Sequence, residues 1–437
     1  MWTRLIQRAP AGYFDLAKVM GGNLSRNLLR GVLKVLIAGF LAPPALGVLR
    51  SIFSFFKIVT SFVDLGLDYA MVTFLSSAIQ RREQEEQDRI LNTVLGLKLV
   101  VTAVILIVGN ALAPQITVWV LSDPSLTVYT RLVFLAVGGQ MLWKYISSYL
   151  SARQAFGRLA LYLSTMPLLM LVLFVLLVLV HAFSLPLAIL LYLFAPLATV
   201  LIWWPTLGLK YGRFWNPALA GKIVGFSRWV YLSNSTSATR NNLNPILLKN
   251  ARLSGSVEVG EIQAGLYGFG NDLANEVTLL SQSLLTVLLP KASGKSSPHK
   301  LRRFVLRSYR HLIPLLIPFA LLALAARPFL LGLAYFKASY LEYLPSLNVF
   351  TVLYAAALFS VAVIPMQAAL YAMRLPQVET YIEFATIFFL IAGSVLIIPR
   401  FGADGAALLI LIQRMITFVA LMLFGFRRLR RLETEAR

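Results

Sequence analysis

The sequence predicts an all-α polytopic membrane protein, with about twelve transmembrane helices in two six-helix lobes around a central polar cavity. Three observations predict it. Apolar residues make up 58% of the 437 and charged residues only 13%, well away from the balance of a soluble domain. Uninterrupted apolar runs of about 20 residues, the length that crosses a bilayer, recur along the chain. Lys and Arg are distributed one-sidedly between the runs, as the positive-inside rule requires.

Twelve spans are expected near 24–42, 51–77, 91–112, 128–152, 159–180, 185–208, 223–247, 262–289, 305–326, 343–372, 378–398 and 403–426. With the N-terminus in the cytoplasm, the inner segments 1–30, 80–92, 152–159, 205–228, 290–311, 373–377 and 424–437 hold 27 of the 40 Lys and Arg, and the outer segments hold 6. This asymmetry predicts an even number of spans and cytoplasmic termini. It also absorbs most of the net charge of +22, so no nucleic-acid partner is expected. No cleavable signal peptide is expected in residues 1–22. Six spans precede Trp215 and six follow it, so lobes of 1–215 and 216–437 are expected, as in parallel-repeat transporters.

The first span carries Asn27, Arg30 and Lys34 on one row running inward from the cytoplasmic edge. Lys34 lies about 10 Å from Asn27 along the axis. The second span carries Lys57, Asp64 and Asp68 within about 40° of one another. Charges in a span survive by facing a bundle interior or a wet cavity. Asp68 lies about 12 Å from Ser76 along the helix, so Lys34 and Asp68 reach similar depth and are expected to be able to pair.

The seventh span reads YLSNSTSATRNNLNPIL over 231–247. It places Ser233, Thr236, Ser237, Arg240 and Asn244 on one face, with Arg240 about 21 Å from Phe226, near the midplane. Pro245 is expected to bend its outer end. The eighth span offers Asp272 and Glu276, and Glu276 matches Arg240 in depth, so an Arg240–Glu276 pair is the structural alternative to a cavity-facing guanidinium. Lys98, Lys144 and Arg414 are weaker candidates within spans, and Glu379 and Glu383 suit the start of a helix.

Enzyme signatures are absent. There is no Cys, hence no thiol chemistry or thiolate metal site. The three His residues are isolated, no phosphate-cradling loop is present, and no loop is long enough to hold a catalytic domain. No catalytic residue, metal site or cofactor is expected.

Three stretches carry a resemblance to a known family. GVLRSIFSFFKIVTSFVDLGLDYAMVTFLSSA (47–78), with its Asp64-Leu65-Gly66, resembles the second helix of bacterial polysaccharide flippases. AGLYGFGNDLANEVTLLSQSLLTVLLPKAS (264–293) resembles their eighth helix, and FGADGAALLILIQR (401–414) their late turn into the final helices. These flippases are a branch of the multidrug/oligosaccharidyl-lipid/polysaccharide exporter superfamily.

The resemblance implies a bacterial inner-membrane flippase that is not an enzyme. It would move an undecaprenyl-diphosphate-linked oligosaccharide from the cytoplasmic to the outer leaflet by alternating access. It also implies cargo-facing positions at Arg30, Lys34, Lys57 and Arg240, with Asn244 beside the last. Asp64, Asp68, Asp272 and Glu276 would serve as ion-pair partners or take up a coupling proton or sodium ion. The implied partners are the lipid-linked oligosaccharide and the bilayer, and other polysaccharide assembly proteins are candidates. The alternatives are a cation-coupled multidrug extruder of the same superfamily, which should have an apolar or acidic cavity, and a membrane polymerase or ligase, which would need a long outer loop.

Overall fold

The computed structural model describes residues 11–208, 216–251, 256–277, 297–373 and 377–435, with 281, 284–285, 288, 291–292 and 375 between them; side chains are described from Ser25 onward, except at positions 229, 233, 257, 276 and 380. The described residues form fifteen α-helices joined by short 3-10 turns, with no strand among them. The protein is an all-α polytopic membrane protein.

The helices are α1 (Ala11–Phe40), α2 (Pro43–Asp64), α3 (Leu67–Gln80), α4 (Gln84–Ala111), α5 (Ala113–Leu121), α6 (Thr127–Ala152), α7 (Phe156–Leu179), α8 (Leu185–Trp203), α9 (Pro217–Asn250), α10 (Val257–Ala274), α11 (Pro298–Leu322), α12 (Ala326–Phe336), α13 (Ser346–Ala362), α14 (Ile364–Ala372) and α15 (Gln377–Glu435). Among the described residues, eight segments are long and apolar enough to cross a membrane. One of them, within α15, is two helices joined at Gly402, whose backbone is left-handed at φ 53°. At 30 and 34 residues, α1 and α9 also exceed the length of a span. Their Asn, Ser, Lys and Arg content keeps them out of the apolar class.

Many apolar side chains point outward: Ile107 on α4 is 70% exposed and Leu396 on α15 also 70%. Such surfaces suit hydrocarbon as solvent, while the backbone polar groups are satisfied inside each helix.

Contacts group the chain into two compact units, residues 1–36 with 51–246, and residues 37–50 with 247–437. The expected division at Trp215 lies outside the described residues. Close approach between helices is the physical reason for the grouping. In the first unit, α9 lies against the α2–α3 junction, with Phe62 on Tyr231 and Phe74 on Phe226 edge to face. A Cβ at Gly66 would stand 2.8 Å from the Ser227 carbonyl oxygen. In the second unit, residues 43–50 lie against α10. There Gly47 faces the Glu261 carbonyl and Gly265 faces the Pro43 carbonyl, each with no room for a Cβ. Small residues let backbones meet in a bilayer, and these glycines draw 37–50 and 216–246 into the units where they pack.

The first unit is organised around α6, which packs on α3, α4, α7 and α8. Gly139 admits α8, since a Cβ there would lie 2.7 Å from the Leu197 side chain. The second unit is organised around α13, which packs on α10, α11 and α15. Its core gathers Val349, Leu353 and Val361 with Ala403, Ala406 and Ala407, so the GADGAA stretch enters a closely packed helix. The Gln263 carboxamide oxygen accepts a bond of 2.8 Å from the Ala403 amide and so caps the second arm of α15 at the Gly402 bend.

Two local expectations are corrected. Residues 43–50 are not an outer loop but the start of α2. The span expected over 51–77 is not continuous: it breaks after Asp64, where Leu65 and Gly66 both adopt left-handed backbone (φ 49° and 72°). Two successive left-handed residues end an α-helix, and Gly66 takes this conformation at little cost. In α9, by contrast, the helix continues through Pro245, whose carbonyl accepts a 2.9 Å hydrogen bond from Ser51.

Candidate functional site

The break at Leu65–Gly66 puts Asp64 on the last turn of α2 and Asp68 on the first turn of α3. Both carboxylates turn toward α4 and α6. The Lys98 ammonium, 1% exposed, lies 2.9 Å from Asp64 and 3.0 Å from Asp68. Lys144 stands behind, 3.6 Å and 3.9 Å from the same two carboxylates, and the Ser148 hydroxyl donates to Asp68 at 3.1 Å. Two acids and two bases thus form a neutral quartet within an apolar bundle. Each charge is costly there alone, and matching removes most of that cost.

The quartet corrects two expectations. Asp68 pairs with Lys98, Lys144 and Ser148, and not with Lys34. Depth along the membrane normal could not choose between helices, whereas packing does, because α3 sits on α4 and α6. Lys57 does not join the two aspartates although it shares their face of the ideal helix. It is exposed, with its ammonium 4.5 Å from the centre of the Phe53 ring, a cation–π arrangement. Arg30 and Lys34 are half-buried on α1.

On α9, Arg240 and Asn244 are buried, at 7% and 4% exposure. The Arg240 Nε–H donates to Asn241 at 3.4 Å. Around them Thr239 and Asn242 bond back to carbonyls one turn earlier, and Ser235 reaches the Ser61 carbonyl at 3.5 Å. One stretch of helix in the first unit therefore offers a planar cation among hydroxyls and amides.

In the second unit, Asp272 is ion-paired with Arg50. Gly268, one turn before Asp272, makes the space: a Cβ there would lie 2.8 Å from Cγ of Arg50, so the arginine stem lies over α10. Lys249, fully buried, stands 3.2 Å from Glu261. Glu379 accepts from Gln367 at 2.7 Å and from Tyr371 at 2.7 Å. The side chain of Glu276, and with it the expected pairing to Arg240, lies outside the described residues. Among the described residues no cluster of acids and histidines could hold a metal ion.

Arg50, Lys249 and Glu261 escaped the sequence reading because all three looked like loop charges. Lys98 carried a usable signal: it is the one charge in a strongly apolar span, while the second span carries two acids.

The fold has solved relatives. The chain is similar to an inward-facing multidrug resistance MATE family transporter of the MOP superfamily, at 15% identity and TM-score 0.76 over 94% of this chain and 96% of that one. It is similar to the lipid II flippase MurJ in an inward closed conformation, at 14% identity and TM-score 0.64 over 89% and 86%. It is also similar to a MOP superfamily transporter from Pyrococcus furiosus described by the reverse polarity of its binding pocket, at 13% and 0.58 over 95% of each. At such identities the likeness is one of fold alone. No curated protein matches the chain by sequence. A family model described as polysaccharide biosynthesis protein matches residues 36–345, most of the chain and parts of both units, and the chain belongs to that family.

Proposed function

We propose that this protein is a flippase. It carries an undecaprenyl-diphosphate-linked oligosaccharide from the cytoplasmic to the outer leaflet by alternating access, for cell-surface polysaccharide biosynthesis. The observation that carries the reading is the balance of charge in the first unit. Asp64 and Asp68 are already matched by Lys98 and Lys144. The expected spans of that unit also hold Arg30, Lys34, Lys57 and Arg240 and no further Asp or Glu, so their net charge is positive and suits an anionic cargo. A cation extruder would need the opposite surplus, and the matched aspartates are poor sites for a bare coupling cation.

The chemistry follows from solvation. A diphosphate and several sugars cannot enter hydrocarbon unaided. The Arg240 guanidinium is always charged and can bind phosphate oxygens bidentately. Asn244, Thr236 and Ser237 can exchange hydrogen bonds with sugar hydroxyls, and the lipid tail stays in the bilayer. An inside-negative potential favours outward movement of an anion by about 2.3 kcal/mol per charge per 100 mV. Deleting the protein should abolish surface polysaccharide while lipid-linked oligosaccharide accumulates on the cytoplasmic leaflet. Unchanged surface polysaccharide in the deletion strain would overturn the reading.

The same reading puts the protein in a bacterial inner membrane with both termini in the cytoplasm. Reporter fusions at Ser184 and Ser297 should then fall on opposite sides, with Ser297 inside. Finding both on one side would refute this topology.

A further inference from the structure

The helix α11 changes character halfway along. Its first half carries Lys300, Arg302, Arg303, Arg307, Arg310 and two histidines, and from Leu312 to Leu322 it carries no charge. The apolar half is largely exposed, with Ile313, Ile317 and Leu321 each more than half so. A helix of this pattern passes from a headgroup layer into hydrocarbon.

A groove of about 300 Å³ lies where the character changes, within the second unit. Its basic side chains are Lys291, Arg307 and His311, and its apolar lining includes Leu284, Leu288 and Leu315. On α11, Arg307 precedes Leu315 by about 12 Å along the axis. Along α11 the lining of the groove passes from the basic Arg307 to the apolar Leu312 and Leu315. Glu433 is 3.3 Å from His299 and 3.4 Å from Arg302. Lys291, Arg307 and His311 have no acidic partner among the described residues.

From this gradient we propose that the groove binds an anionic phospholipid. The phosphate sits at Lys291 and Arg307 and an acyl chain lies along Leu288 and Leu315. Charge complementarity selects this occupant, since basic pockets between spans on the cytoplasmic side hold anionic headgroups. Apolar surface alone would hold any lipid. The site does not depend on what the protein transports.

The test is native mass spectrometry of the purified full-length protein, with phosphatidylglycerol and phosphatidylcholine of identical acyl chains. The expected result is retention of one phosphatidylglycerol at least tenfold over phosphatidylcholine. Lys291→Gln with Arg307→Gln should erase that preference. Arg303→Gln with Arg310→Gln removes the same charge from the same helix region and should preserve it. Leu288→Trp, which adds bulk to the apolar lining, should reduce phosphatidylglycerol retention by a second route. Equal retention of the two lipids by the unaltered protein, retention of neither, or equal loss in both charge variants would each overturn the proposal.

Discussion

Replacing Lys98 with Met is expected to destabilise the protein by about 3–5 kcal/mol, the usual cost of breaking a buried ion pair by removing one partner. Lys98 is buried and lies 2.9 Å and 3.0 Å from the two aspartates. Without it, Asp64 and Asp68 face one another with only Lys144, which is farther away and 29% exposed. Lys144→Met should therefore cost much less, within the range of about 0–1 kcal/mol of partly solvated pairs. The decisive variant is Lys98→Met with Asp64→Asn. It returns the cluster to neutrality with Asp68 opposite Lys144, and should recover more than half of the loss, since residues in one network are not additive. The measurement is apparent Tm of the detergent-solubilised protein. Equal drops for Lys98→Met and Lys144→Met, or a double variant less stable than the single one, would show that charge matching is not what the quartet supplies.

The quartet also shows how far the sequence could be read. Membrane class was legible because a bilayer demands runs of about 20 apolar residues, which is a linear property. Asp64 and Asp68 were legible as buried charges for the same reason. Their partners were not. Pairing depends on which helices touch, and contact is decided by non-local features such as Gly66 against Ser227 and Gly139 against Leu197. The left-handed pair Leu65–Gly66 resets the angular count for Asp68 alone; Lys57 keeps the face of Asp64 but lies two turns, about 10 Å, from it along α2. Arg50 illustrates a second limit. Its segment reads as a loop after Pro43-Pro44, yet the prolines begin a helix, where a missing N–H costs nothing. Gly265 and Gly268 then bring that helix onto α10.

Changing Arg240 to Ala is expected to reduce polysaccharide export by about 30- to 4000-fold, as expected for truncating one partner of a buried, charge-assisted contact at about 2–5 kcal/mol. The guanidinium is 7% exposed on a helix stretch of Ser, Thr and Asn, where a purely structural cation has little reason to be arginine. Arg240→Lys should recover only part of the activity, because an ammonium keeps the charge but loses the planar fork that matches two phosphate oxygens. Export is read as surface polysaccharide in a deletion strain carrying each variant, with protein level and Tm measured in parallel. A structural role predicts that export and Tm fall together. A cargo role predicts that export falls while Tm holds. The sequence also offers Glu276 as a partner of purely structural kind. Arg240→Ala combined with Glu276→Gln separates the two, because removing both charges restores a structural pair but cannot restore a diphosphate ligand. Full export from that double variant would make Arg240 a structural residue and move the search for the cargo site to Arg30, Lys34 and Lys57.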